Sequence, residues 1–367
     1  MQPTHETQIF IAGGGPVGLT AAVELHRRGF KPRIVDPHLE VSPQSRALAI
    51  NPRTLDLLEP SGATEALLAA GNRIHKALIR FKDQPLFELD LTKTKHRFNF
   101  LLCLPQSDTE KILASTLESL GGKLERGIAL QALERNNNGL FLKLTNETTP
   151  TADMLIGADG AHSIVRKSLG LGFPGQSEQQ SFGLADVELD DWPFPSNMAV
   201  ATIHEDHVIA YLPMAEGFGR FVSTRPNTME LLPPEAKPRR AVWETEFHIS
   251  YRQVESYQRG NVFLAGDAAH IHSPVGGRGM NLGIEDACWL AWLIEKNRTG
   301  EYTALRHPVG AKVLKLTAQP TRLISSNTIS ARLLRRWIVP NILGLGWVQR
   351  RILPSMLAQD TPAPPWL

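Results

Sequence analysis

The chain has 367 residues, 42% hydrophobic and 21% charged, with a formal net charge of +2. That length exceeds the usual single domain and predicts two intimately packed ones, while the ordinary composition and near-neutral charge give no case for nucleic-acid binding. Two cysteines, Cys103 and Cys288, exclude a disulfide framework and fit a reducing compartment. The opening residues lack a charged-then-apolar leader and no run of about 18 apolar residues occurs, so a cytoplasmic protein is expected.

In chain order, Gln8-Ile9-Phe10-Ile11-Ala12 is a short β-prone apolar run that predicts a buried parallel strand. It enters Gly13-x-Gly15-x-x-Gly18, and residues 19–28 read as a helix closed by Gly29. Gly13 permits a tight turn, Gly15 lets a pyrophosphate approach the backbone, and Gly18 lets helix and strand pack closely. Pro16 suits the first helical turn, and with Val17 it lies where free N–H groups and the helix dipole favour a phosphate. A second strand over residues 32–35 leads to Asp36 and Pro37. Asp36 lies 23 residues after Gly13, where a carboxylate holds an unphosphorylated ribose, so the nucleotide is FAD or NAD.

Further on, residues 104–110 open a helix to about Leu120, with Ser107 as the expected N-cap and Glu110 completing a capping box. Residues 140–144 and 154–156 read as strands. From Phe182 to about Gln258, short alternating stretches such as 198–203 and 207–212, separated by turn residues, predict antiparallel strands. A buried-strand pattern returns at residues 261–265, so the chain leaves the nucleotide domain and comes back to it. Between Tyr302 and Gln359 there are nine Lys or Arg and no acid. Leu323, Ile324, Leu333, Leu334, Ile338 and Val339 recur there at roughly helical spacing, before Trp347 and Arg350-Arg351. This reads as a pair of packed helices with solvated basic residues, or as weak contact with an anionic membrane surface, or contact with an acidic, hydrophobic substrate. Residues 361–367, rich in proline, are expected to be a flexible tail.

His270 and His272 have an H-x-H spacing, but no accompanying Cys, His or acid cluster makes a metal site, and none is expected. His204, His207 and Tyr211 fall in the antiparallel region, where one of them is placed either to orient or deprotonate a phenol or to face solvent.

Three segments then acquire a joint meaning. The glycine turn is joined by Gly157-Ala158-Asp159-Gly160, continuing to Arg166, and by Gly266-Asp267-Ala268-Ala269-His270 with Pro274 and Gly276-Gly277-Arg278-Gly279-Met280-Asn281. With Gln44-Ser45-Arg46-Ala47 and Asn51-Pro52-Arg53, these make residues 9–316 resemble the FAD-dependent aromatic hydroxylases, the single-component flavin monooxygenases with the para-hydroxybenzoate hydroxylase fold. The resemblance implies an α/β fold: a Rossmann-like FAD-binding domain (1–72, 99–181 and 260–300), an inserted antiparallel β-sheet substrate domain (73–98 and 182–259), and a C-terminal helical region (301–360).

By the same resemblance, Asp267 holds a ribityl hydroxyl of FAD, Gln106 lies along the ribityl chain and Arg46 near the pyrophosphate or flavin. Gly266, Pro274, Gly276, Gly277, Gly279, Met280 and Asn281 belong to the flavin-ring loop, whose N–H donors stabilise charge on the reduced ring. Asp159, Gly160 and Arg166 are associated with FAD and transient NAD(P)H binding; the alternative is that Asp159 caps a helix and Arg166 braces the domains through an ion pair. Arg278 departs from the neutral residue, often Gln, that the family places there. It turns either inward to the flavin or outward, as a surface charge or an NADPH phosphate contact.

The implied reaction uses NADPH or NADH to reduce FAD. A flavin C4a-hydroperoxide formed with dioxygen then hydroxylates a phenolic or polycyclic aromatic, with His204, Tyr211 and Pro274 as candidate catalytic positions. A monomer or homodimer is expected. The alternatives are a non-oxygenating FAD reductase or dehydrogenase of a hydrophobic substrate, and a flavin-binding protein without turnover. Since 100 residues follow Asp267, an added thioredoxin-like domain is not expected.

Overall fold

The computed structural model describes residues 7–42, 47–136, 139–274, 276–325, 348, 353–355 and 357–367. Its first layer is a six-stranded sheet ordered Gln258–Arg259, Val262–Leu264, Met154–Gly157, Ile9–Ala12, Arg33–Asp36, Leu124–Arg126. Five of these strands run parallel and only the Gln258–Arg259 edge is antiparallel. The runs Ile9–Ala12 and Val262–Leu264 are buried at every position, as strands covered on both faces must be. The sheet is assembled from four distant stretches of chain, so the layer built on it is discontinuous in sequence.

Two helices pack against each other beside this sheet. Pro16–Arg27 starts with Pro at its first position. Gly279–Glu295 is apolar around most of its circumference and buried from Asn281 to Ala291, the pattern of a central helix. The helix predicted from Ser107 instead covers Gln106–Ser119, with Pro105 at the N-cap and no side-chain cap. Ser107 already lies inside its first turn, and Glu110 accepts from Gln106 Nε2 at 2.8 Å rather than closing a capping box.

The second layer is an eight-stranded sheet ordered His270–Ile271, Lys237–Gln253, Gly175–Asp191, Phe218–Ser223, Val208–Ala215, Met198–Ile203, Lys76–Phe81, Gln84–Asp90. All neighbours are antiparallel except Met198–Ile203 with Lys76–Phe81. The insertion expected from residue 182 begins at Gly175, because an irregularity between Ser177 and Ser181 interrupts the ladder with Lys237–Gln253 without ending it. A three-stranded sheet, Ala49–Ile50, Leu101–Cys103 and Asn72–Ile74, joins the layers.

The C-terminal region contributes the helix Tyr302–Ser325. The expected continuation through Leu333, Leu334, Ile338, Val339, Trp347, Arg350 and Arg351, like the side chains of Leu323 and Ile324, falls outside the described residues. No helix among the described residues is long and apolar enough to cross a membrane. Residues 361–367 are not a loose tail. Trp366 stacks on Trp292 with ring centroids 5.0 Å apart and meets Trp289 edge-on at 5.0 Å; the apolar area of three indoles outweighs the disorder expected of a proline-rich end.

Candidate active site

The three glycine-containing segments meet pairwise. Gly13 adopts φ +108°, a conformation that favours glycine, and a Cβ there would strike the carbonyl oxygen of Ala158. The first turn and residues 157–160 are thus in direct backbone contact. Val17 fills the space beside the third segment: a Cβ on Gly266 would stand 2.9 Å from its Cγ2, and one on Gly283 2.6 Å. The second and third segments are joined by Ala265 N–H donating to Gly157 O at 3.0 Å and by Arg166 Nη1 donating to Ala268 O at 3.0 Å.

The turn holds one closely packed glycine and one that is open. A Cβ on Gly18 would overlap Gly13 O, whereas Gly15 has no atom within 4 Å of its Cβ position. Helix Pro16–Arg27 follows immediately, so its N-terminal N–H groups and positive dipole end adjoin this open face. Asp36, buried at the end of its strand, accepts from Gly14 N–H at 2.7 Å through Oδ2 and from His38 N–H at 2.9 Å through Oδ1. These features, an open face at Gly15 and a carboxylate fixed beside the turn, fit a dinucleotide. Pro37 beside it is exposed.

Gln106 connects this end to the loop at the other. Its N–H donates to Ala47 O at 3.2 Å, and its side chain holds Glu110. Burial raises the Glu110 carboxyl above its ordinary value, and the nearby Asp36 charge adds to the shift. Arg46 lies outside the described residues.

The third segment runs from exposed Asp267 and exposed Pro274 into a tight turn, in which Gly277 N–H donates to Pro274 O at 2.8 Å. Gly277 adopts φ +61°, and a Cβ there would stand 2.9 Å from that of Ala49. Helix Gly279–Glu295 starts two residues later, with Met280 half-buried in its first turn. The Asn281 side chain is spent within the protein. Its Oδ1 accepts from Asn51 N–H (3.0 Å) and Thr54 Oγ1 (2.7 Å), and its Nδ2 donates to Ala49 O (2.7 Å) and Gly277 O (2.6 Å). Asn281 therefore pins the loop to Ala49–Ile50, and only its backbone is left for a cofactor.

Arg278 takes neither expected course. It is buried, and its guanidinium reaches Asp360 in two bonds of 2.9 and 3.1 Å. Asp360 is the one acid after Glu301, a sequence signal that nonetheless did not reveal the pair. Asp159 is a helix cap: Oδ2 accepts from Ile164 N–H (2.7 Å) and Val165 N–H (3.1 Å). Its Oδ1 is buried with no hydrogen-bond partner, and Gly160 has open space at its Cβ position. Arg166 braces through carbonyls rather than an ion pair, donating to Ala161 O at 2.7 Å as well as to Ala268 O. Burial lowers its pKa below the ordinary arginine value.

Sequence reasoning missed a buried charge network behind the loop. Asp286 receives His270 Nε2 (2.6 Å), Arg306 Nε (2.7 Å) and Gly266 N–H (3.3 Å), and Arg306 also donates to Glu285 at 2.7 Å. An adjacent Glu-Asp pair inside an otherwise apolar helix was its signal, since charges are buried only when paired. His272 is buried too, with Nδ1 donating to Ser273 O at 2.9 Å and Nε2 unpartnered. Burial and the neighbouring His270 and Arg278 hold its pKa down at about 4, so it is neutral at pH 7. Its Nε2 stands 3.9 Å from the Gly279 Cβ position.

His204 and Tyr211 are not brought to the loop. Tyr211 packs with Ala185, Val187, Ile209 and Phe221 on one face of the large sheet. Its neighbour Leu212 packs with Leu48, Ile74, Cys103 and Met214 toward the glycine loop. Adjacent strand residues point to opposite faces, so the Tyr211 hydroxyl faces away; burial raises its pKa above the ordinary tyrosine value. His204 stacks on His207 at 4.4 Å at the tip of the hairpin, near Asp206 and Asp83.

Comparison with known proteins agrees with this geometry. The family model described as FAD binding domain matches residues 6–239 and 223–317. The chain is 33% identical over 349 residues to a 6-methylpretetramide 4-monooxygenase of Streptomyces rimosus (87% of this chain, 62% of the relative). It is 31% identical to the pentachlorophenol 4-monooxygenase of Sphingobium chlorophenolicum (85% and 64%). It thus spans just under two thirds of the length of these two relatives. Among solved structures, an anhydrotetracycline hydroxylase from Streptomyces rimosus superposes with a TM-score of 0.78 at 28% identity, covering 97% of this chain and 77% of that one. A p-nitrophenol 4-monooxygenase from Pseudomonas putida, at 21% identity, shares the fold with a TM-score of 0.85 over 96% and 98% of the chains.

Proposed function

Because the chain belongs to the FAD-dependent aromatic hydroxylase family, we propose that it is a monooxygenase that inserts one atom of dioxygen into an electron-rich aromatic ring. Two electrons come from NADPH or NADH, and the second oxygen atom leaves as water. The observation that carries this reading is the pairwise contact of three segments separated by more than a hundred residues, ending in a glycine loop against the sheet junction at Ala49.

Bound here, FAD would supply the chemistry of hydride acceptance and dioxygen activation. The chain supplies position and charge. Gly15 and the N-terminus of Pro16–Arg27 hold the pyrophosphate, Asp36 takes a ribose hydroxyl, and Asp267, exposed at the loop entrance, takes a ribityl hydroxyl. Gly279 presents its backbone N–H at the start of Gly279–Glu295, where the dipole favours negative charge on the ring. The face of the large sheet bearing Leu212 and Ala199 abuts Leu48, one residue from Ala49, and forms the substrate side. Tyr211 lies on the opposite face and is not the base for a phenol.

Anaerobic reduction of the FAD-loaded protein by NADPH and by NADH, followed by isotopically labelled dioxygen and a panel of phenols, tests the proposal. The expected product carries one labelled oxygen. A substrate that stimulates nicotinamide oxidation yet gains no label refutes it in favour of a reductase.

A further inference from the structure

Resting on the FAD site of the hydroxylase reading, the geometry points to Asp360 as a positioning residue that sets the reduction potential of the flavin, by holding and neutralising Arg278 in the ring loop. Arg278 stands between Gly277 and Gly279 and is the N-cap residue of helix Gly279–Glu295. Its charge therefore lies where free N–H groups and the helix dipole already favour an anion. A helix end carries roughly half an elementary charge, so an unpaired guanidinium there adds about twice as much again.

The pair is built rather than casual. Arg278 is 6% exposed, and its Nη2 and Nη1 donate to separate oxygens of Asp360 at 2.9 and 3.1 Å, the forked geometry that fixes direction as well as charge. Asp360 is itself held in place. Its Oδ2 also accepts from Ser355 Oγ at 3.1 Å, and its carbonyl oxygen accepts from Lys312 Nζ. The segment that carries it is anchored on both sides: Leu357 is fully buried against Leu91, and Trp366 stacks on Trp292. A carboxylate delivered this way stays paired, unlike the partner of an exposed surface charge.

The other charged groups around the loop are already answered. Asp286 is bonded to His270 and Arg306, and Arg306 also to Glu285. Buried His272 is neutral at pH 7. Asp267 is exposed, so solvent and salt screen it. Asp360 is thus the group that decides whether the loop carries a net charge at residue 278. Reduction of FAD takes up two electrons and, at pH 7, one proton, which leaves one negative charge on the ring. An unpaired buried cation nearby stabilises that reduced form over the neutral oxidised one, because the interior screens poorly. Asp360 holds the potential below the value that Arg278 alone imposes, and Arg278 holds it above the value that Asp360 alone imposes.

The test measures the two-electron potential of the FAD-loaded full chain at pH 7, against reference dyes, in four variants. Asp360→Asn is expected to raise the preference for reduced over oxidised flavin at least about tenfold, which is about 30 mV for this couple. Arg278→Gln is expected to lower it, by at least about threefold. The double variant Arg278→Gln/Asp360→Asn should return to within about twofold of the wild type, as should Asp360→Glu, which keeps the charge. Damage to the loop alone shifts both single variants in one direction and is not repaired by combining them. Where Asp360→Asn fails to fold, Arg278→Gln against the double variant reads the same carboxylate, and the double is expected to have the higher potential. Shifts of one sign in both single variants, no shift in either, or a double variant that does not return overturns the inference. A wild type that takes up no FAD overturns this and the hydroxylase reading together. One that takes up FAD and incorporates no labelled oxygen refutes the hydroxylase reading alone, and the order of the potentials still decides the role of Asp360.

Discussion

His272 gives the loop a pH dependence whose size follows from its surroundings. It is buried, its Nδ1 proton is committed to Ser273 O, and its charged neighbours are Arg278 and, when protonated, His270. Its pKa falls from 6.5 to about 4 in the folded protein. A depressed pKa means the unfolded chain binds the proton first. The stability contributed by neutral His272 is thus complete above pH 6.5 and lost as pH falls toward 4. A shift of that size corresponds to about 3 kcal/mol in full, of which about 2 kcal/mol is lost between pH 7 and pH 5. The perturbation is His272→Gln, which keeps a polar side chain and removes the titration. Urea unfolding of the FAD-saturated wild type and variant, at intervals from pH 7 to pH 5, should give a stability difference that narrows by about 2 kcal/mol as pH falls. Parallel curves over that range refute the argument.

Two further outcomes follow from packing. Gly15→Ala places a methyl group in open space and should leave the melting temperature of the FAD-free chain unchanged while weakening FAD binding at least tenfold, by fluorescence titration. Gly18→Ala drives a Cβ into Gly13 O and should lower the melting temperature with or without FAD. The Arg278–Asp360 pair should respond asymmetrically, because Arg278 sits at the positive end of Gly279–Glu295. Asp360→Asn leaves a buried cation there and should cost about 1–3 kcal/mol, whereas Arg278→Gln leaves an anion that the dipole favours and should cost less. Thermal unfolding of both variants checks the order, and equal losses contradict it.

What was legible in the sequence was what local chemistry dictates. Two glycines of the first turn could be assigned from spacing alone, because each answers a backbone requirement: Gly13 a positive φ and Gly18 a close approach. The return of the chain to the nucleotide sheet at Val262–Leu264 was likewise visible in a short apolar run. Side-chain direction was not. Tyr211 and Ala210 are adjacent in sequence and face opposite ways, and only the pairing of Ala201 with Ala210 decides which one meets the substrate side. A shift of one residue would exchange them. Arg278 was unreadable for a different reason: its partner lies 82 residues later, at the very end of the region read as helical, where no local pattern points back to residue 278.

These misses share a cause that bears on how the site works. In the third segment, the residues with the most chemical character are committed to the protein itself: His270 to Asp286, Arg278 to Asp360, Asn281 to Ala49, Asn51, Thr54 and Gly277. Apart from exposed Asp267, what remains to face a flavin in the proposed site is backbone, shaped by glycines and aimed by the start of a buried helix. On the proposed reading, a loop that works through N–H groups cannot be retuned by exchanging one ligand side chain for another; it changes when the residues that pin it change. A neutral residue at 278 would need no counter-charge, whereas arginine there requires Asp360, and with it a C-terminal segment folded back over the helix. The departure from the family pattern is thus compensated eighty residues away, and the loop remains free to present its backbone to the cofactor.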